Sequence, residues 1–190
     1  RPLCQLQRDK ANVKGAPRDY NFALRMMLGD AAEALIWALV RCAGLEVTGA
    51  KEPATLVLAN YEIPGEDDIE IAHEVWDVKS SAPWTFKHKW RRGFDALLTS
   101  DTFGYVPQLY GYARARGLKP GGWIVVEKSS GEIEVVEASQ DEDLIEEVLQ
   151  AQRQKLDRLF DPEEDFVRSF EDEPEFYRGK GTGSRRLPVP

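Results

Sequence analysis

Glu74-Val75-Trp76-Asp77-Val78-Lys79-Ser80-Ser81 is the stretch on which the reading of this chain turns. It has the composition of a β-strand. Alternation along a strand puts Asp77 and Lys79 on one side and Trp76 and Val78 on the other. A carboxylate and an ammonium at the end of an apolar strand cost free energy unless something pairs with them. They can pair with each other as an ordinary ion pair at a strand edge; a divalent metal and a phosphate would serve equally well.

Working outward, Ile69 and Ile71 alternate with polar residues just upstream, so residues 69–79 read as two strands joined near His73. An acid at the start of such a hairpin, Asp67 or Asp68, comes to lie beside Asp77 on the neighbouring strand. Asp68 is the choice because it immediately precedes the alternation; a plain turn acid is the alternative reading. Two hard carboxylate oxygens at one point suit Mg²⁺ or Mn²⁺, which prefer oxygen ligands and keep several waters.

Two further elements bear on that point. From Asp19 to Ala43, Leu24, Met27, Ala31, Ala34, Leu35, Ala38, Leu39 and Cys42 recur at helical spacing, with Gly44 as the stop. This stripe predicts the buried face of a helix, with Trp37 and Val40 buried too. Glu33 lies among small residues at the border of that face and needs a partner there. Downstream, Tyr105 to Arg116 reads as a second helix ending at Gly117, and Gln108 and Tyr112, four apart, share one of its faces. Both can donate hydrogen bonds from a rigid element to a phosphate or a bound water.

The 190 residues suffice for one domain with a sizeable core. The net charge of −8 argues at first against a polyanionic partner. It is unevenly placed, however: residues 1–140 hold 17 Lys and Arg against 19 acids, residues 141–175 hold 4 against 14, and residues 176–190 hold 4 against none. The nearly neutral body carries a basic cluster, Lys87, His88, Lys89, Arg91 and Arg92, interleaved with Trp84, Phe86 and Trp90. Such a cluster is either a solvated helix face or a phosphate contact. Cys4 and Cys42 match neither a disulfide framework nor a zinc spacing, so a reducing, cytoplasmic setting is expected. No run reaches the length of a membrane span.

The remaining pattern is an apolar run from Ala54 to Ala59, a turn at Pro64-Gly65, a basic helix over 87–99, a hairpin of Trp123–Val126 with Ile133–Val136 around Ser130-Gly131, and a long amphipathic helix from Asp141 to Phe160. Helix, strands, two helices, strands, helix predicts an α/β domain with a central mixed β-sheet flanked by helices. Residues 1–160 form that domain, with a core of about 19–137, and residues 161–190 are expected to be charged and loosely ordered.

Taken in order, Glu33, Asp68, Asp77-Val78-Lys79 and Gln108-x-x-x-Tyr112 resemble the PD-(D/E)XK nuclease superfamily, in the branch of lambda exonuclease and RecB-like nucleases. The resemblance spans about residues 29–113 plus the strands to 137, and it lacks the proline that usually precedes the first Asp. It implies a restriction-endonuclease-like core and Mg²⁺ or Mn²⁺ held by Glu33, Asp68, Asp77 and the Val78 carbonyl. Lys79, Gln108 and Tyr112 would act on the water and the scissile phosphate. It further implies DNA as partner, bound by Lys87, Lys89, Arg91, Arg92, Arg25 and Trp84, with Trp90 as another stacking candidate. A single-strand annealing protein and a second copy of the chain are further candidate partners. The activity implied is a phage-type exonuclease of recombination or repair. A structure-specific or restriction-type endonuclease and an inactive DNA-binding relative are the alternatives on the same fold. Iron–sulphur members carry one cysteine before the core and three after it; here Cys4 precedes the core and none follows.

Overall fold

Two strands that run side by side, one of them carrying Asp77 and Lys79 between valines and serines, organise the domain. In this computed structural model, residues 10–11, 20–161, 176–178 and 186–188 are described. The elements are α1 (Tyr20–Cys42), β1 (Val47–Gly49), β2 (Pro53–Leu58), β3 (Tyr61–Glu66), β4 (Ile69–Ile71), β5 (Glu74–Ser81), α2 (Pro83–His88), a 3₁₀ turn (Trp90–Arg92), α3 (Gly93–Ser100), α4 (Tyr105–Arg116), β6 (Lys119–Glu127), β7 (Ile133–Glu137), α5 (Glu142–Phe160), β8 (Phe176–Arg178) and β9 (Arg186–Pro188). They fall into two compact units, Ala16–Leu156 and a smaller one made of Arg1–Gly15 with Asp157–Pro190. In the smaller unit Lys10 donates to the Leu159 carbonyl at 2.9 Å and its ammonium stands over the Phe160 ring, and β8 pairs antiparallel with β9. The expected loose order of residues 161–190 falls largely outside the described residues.

The larger unit is built on a five-stranded mixed sheet of order β1-β4-β5-β6-β7. The β4–β5 hairpin pairs Ile69 with Trp76 and Ile71 with Glu74, and its two-residue turn, Ala72-His73, has both φ angles positive, as a tight type I′ hairpin requires. β5 runs parallel to β6, so the chain between them must cross over the sheet, and α2, α3 and α4 make that crossing. β6 and β7 form the predicted hairpin. On one face Val75, Trp123, Val125 and Val136 pack with Leu97, Val106, Leu109, Tyr110, Ile145 and Leu149 from α3, α4 and α5. On the other, Ile69, Val78, Ile124 and Val126 pack with Ala32, Ile36 and Val40 of α1. This is the α/β architecture expected from the order of elements, a mixed sheet with helices on its faces. Both α1 and α4 end in the predicted glycines: Gly44 and Gly117 take positive φ, and the paired bonds Leu45 to Val40, Gly44 to Arg41, Leu118 to Ala113 and Gly117 to Arg114 close the last turns. Among the described residues no helix is long and apolar enough to cross a membrane.

Three expectations are corrected. Helix α1 buries Ala32, Ile36 and Val40, while Leu24, Met27, Leu35 and Leu39 of the predicted stripe are exposed and Trp37 is only partly covered. Apolar residues occupy nearly every position around this helix, so periodicity selects no face. The sheet takes the row with a small and two β-branched side chains, which lets helix and sheet approach closely. Pro64 and Gly65 make no turn: they lie inside β3, opposite Thr55 and Ala54, and the reversal is at Ala59-Asn60. The β2–β3 pair is a separate two-stranded ribbon, and a proline is tolerated in such an edge. The basic stretch 87–99 is broken at Lys89 and Gly93 into α2, the 3₁₀ turn and α3.

The parallel pairing of β5 and β6 shifts register between Val75 and Trp76, which face Pro120 and Gly122. Gly122 there has φ of +150°, and a Cβ on it would run into the Val136 carbonyl oxygen. Gly122→Ala is therefore expected to destabilise the protein by roughly 1–3 kcal/mol or more, read as a lower urea midpoint; an unchanged midpoint would show that the strand relaxes around the methyl group.

Candidate active site

Strand β5 delivers Asp77 and Lys79 to the face covered by α4, since both alternate with Trp76 and Val78 and share the side of Val75. Asp77 is 1% exposed. Its Oδ1 accepts a bond from Lys79 Nζ at 2.5 Å, and its Oδ2 is buried with no hydrogen-bond partner. The residue just before β4, Asp68, continues the ladder: its Oδ2 accepts the Val78 amide at 2.7 Å and lies 3.9 Å from Lys79 Nζ. Lys79 Nζ also lies 3.5 Å from the Val78 carbonyl oxygen and 5.8 Å from the centre of the Tyr105 ring at the start of α4. From α1, Glu33 is joined to this group by Lys51, which pairs with the Glu33 carboxylate and stands 3.9 Å from Asp68 Oδ1. The result is a row of alternating charge: Glu33, Lys51, Asp68, Lys79, Asp77.

Burial pushes the Asp77 carboxyl up to about 7, with Lys79 opposing the shift and Asp68 adding to it. Burial pulls the Lys79 ammonium down, but Asp77 and Asp68 outweigh it, and the group is held above its ordinary value. Lys79 is thus a firm cation. The neighbouring acid, Asp67, belongs elsewhere. It is fully buried, exchanges two backbone-anchored bonds with Glu52, and lies 3.5 Å from Arg116, which also donates to Glu70 at 2.7 Å. Burial raises the Asp67 carboxyl to about 6.

Gln108 and Tyr112 share a face of α4 as expected, and they bond to each other, Gln108 Nε2 donating to the Tyr112 hydroxyl at 3.0 Å. The Tyr112 ring lies against Gly65 of β3, where a Cβ would collide with it. In the basic cluster, Lys89 is 3.9 Å from Asp101 and stands over the Tyr105 ring, while Arg91 pairs with Glu132 and Glu134. Lys87 and Arg92 are exposed. Trp84 is 72% exposed and its ring lies 4.9 Å from His88, whereas Trp90 is buried against Tyr105 and Trp123. Arg25 lies on α1, and its side chain is outside the described residues.

A cleft of about 420 Å³ opens at the Glu33 end of the row, lined by Asp30, Glu33, Ala34, Trp37, Ala50, Lys51 and Asp68. A larger cavity, about 610 Å³, lies at the other end of β5 around His73, Glu74 and Arg114, where Arg114 already pairs with Glu142 and Glu146. Sequence reasoning missed Lys51: a lone lysine in a loop carries no periodic or motif signal.

Among the described residues no three acidic, imidazole or thiol groups converge closely enough to hold an ion as they are placed, and Lys51 and Lys79 stand between the carboxylates. The donor chemistry nonetheless fits a hard divalent cation. The buried Asp77 Oδ2 has no donor, and a cation at a buried carboxylate supplies the missing charge. No protein-family model matches this chain, and no curated protein matches it. Among solved structures the chain is similar to one described as the crystal structure of SSO0001, with 12% identity over 82% of this chain and 85% of that chain and a TM-score of 0.44. At that identity and score the likeness carries no statement about activity.

The raised carboxyls make stability depend on pH without metal. Asp67 and Asp77 favour the protonated form when folded, so their contribution is complete below their ordinary value of 3.8 and is lost as pH rises through about 6 to 7. In EDTA the urea midpoint should be lower at about pH 8 than at about pH 5, and Asp77→Asn should flatten that fall. A midpoint equally steep in the variant would deny Asp77 its buried, strained ionisation.

Proposed function

We propose that this chain is a Mg²⁺- or Mn²⁺-dependent DNA nuclease that hydrolyses phosphodiester bonds. The observation that carries it is the gathering of Glu33, Asp68, Asp77 and Lys79 from α1, the entry to β4 and the middle of β5 into one row linked by Lys51, with a buried carboxylate oxygen left without a donor. Two lysines pair with these acids and still leave the Asp77 oxygen open, and the same residues resemble the motif order of the PD-(D/E)XK nucleases.

In this reading Glu33, Asp68, Asp77 and the Val78 carbonyl would hold the cation, which would supply Lewis-acid activation of water and positive charge for the phosphate. Lys79, kept cationic by Asp77 and Asp68, orients the water and contacts the scissile phosphate as a fixed positive charge. Val78 contributes twice, since its amide clamps Asp68 while its carbonyl faces Lys79. Gln108 and Tyr112, tied to each other on α4, hold the backbone of the nucleic acid. Lys87 and Arg92, being exposed, are the better candidates for flanking phosphates than Lys89 and Arg91, which already have acidic partners. Trp84 offers an exposed ring on which an unpaired base can stack, for about 1–3 kcal/mol. Exonuclease action is preferred over endonuclease action on the strength of the motif resemblance, with recombination or repair as the setting and a single-strand annealing protein or a second copy of the chain as candidate partners.

End-labelled linear DNA incubated with Mg²⁺ or Mn²⁺ should be degraded by the wild type, while Lys79→Ala should be slower by roughly a hundredfold or more. Equal rates would sink the proposed site. A covalently closed circle should survive the same incubation; nicking of it would make the enzyme an endonuclease.

A further inference from the structure

Lys51 stands in the β1–β2 loop with φ of +56°, a left-handed conformation unusual for a side chain of its size. The loop is held there from both sides. Before Lys51, Gly49 packs so closely on the Glu70 carboxylate that a Cβ would collide with it. After it, Glu52 donates to Asp67 Oδ1 and accepts from the Asp67 amide, both at 3.1 Å. Glu70 and Asp67 are the buried acids that Arg116 of α4 neutralises. A buried charged cluster thus fixes a strained loop, and that loop projects one ammonium into the cleft between Glu33 and Asp68.

We propose that Lys51 is a second lysine of the site: a tethered cation that neutralises the Glu33–Asp68 pair until a divalent ion displaces it, and that then serves a phosphate in the same cleft. The proposal rests on the nuclease reading above. Its logic is one of charge. Glu33 and Asp68 facing each other alone would repel, and an ammonium half in solvent can leave at small cost, since a partly exposed ion pair is weak. Once released, a lysine beside a phosphate acts as a compact positive charge on a flexible stem.

The test is calorimetric titration of Mn²⁺ into the full chain, with Lys51→Met and Lys51→Gln as neutral variants and Lys51→Arg as the charge-keeping control. The neutral variants should bind Mn²⁺ about three- to fivefold tighter than the wild type, the worth of a partly exposed ion pair, and Lys51→Arg should bind as the wild type does. For a short single-stranded oligonucleotide, the slope of log affinity against log salt should be shallower by about 1 in the neutral variants. Mn²⁺ binding that is equal or weaker in both neutral variants would overturn the displacement and leave the nuclease reading standing. An unchanged salt slope would overturn the phosphate role. A wild type that binds no Mn²⁺ would overturn this proposal and the metal site together.

Discussion

A carboxylate shut away from water in the middle of a central strand must be answered by positive charge, and much of this fold is arranged around that demand. Asp77 meets Lys79 two residues further along its own strand, and Lys79 in turn meets Asp68 at the entry to the neighbouring strand. The chain continues outward through Lys51 to Glu33 on α1. Each cation stands between two anions. The row also leaves an imbalance at its buried end, where one oxygen of Asp77 has no donor. A cation is the group proposed above to complete it.

A second set of buried charges does structural work for the first. Asp67 and Glu70 flank Asp68 and Ile69, and Arg116 reaches them from the last turn of α4. Through Glu52 and Gly49 they also hold the loop that carries Lys51. Consecutive aspartates therefore have opposite fates. Asp67 is locked inward with an arginine, while Asp68 turns to the lysines and the open cleft. Separate elements are thereby set at fixed spacing, as a site that must place several charges within ångströms of each other requires.

The strand with Asp77 and Lys79 was legible because two charges at a spacing of two in an apolar run have few explanations, and the Ile69/Ile71 alternation announced its partner strand. Of the crossover helices α4 was legible, since it ends in an unmistakable glycine, whereas the breaks at Lys89 and Gly93 were not. The buried face of α1 was illegible: a helix apolar almost all round carries no phase, and only contact with the sheet decides which row goes in. Pro64-Gly65 has turn chemistry yet lies in an edge ribbon, where a missing amide costs nothing. The basic stretch showed its charge but not its partners, because Glu132, Glu134 and Asp101 come from distant sequence. Lys51 gave no sign at all, for its importance lies in a backbone angle and in what holds its loop.

The most direct test of the central claim is whether the buried Asp77 is a metal ligand. Titration of Mn²⁺ into the wild-type chain and into Asp77→Asn, followed by heat, should show saturable binding in the wild type that the variant has lost. Equal binding by the two chains would contradict the account and return Asp77 and Lys79 to the status of an internal ion pair.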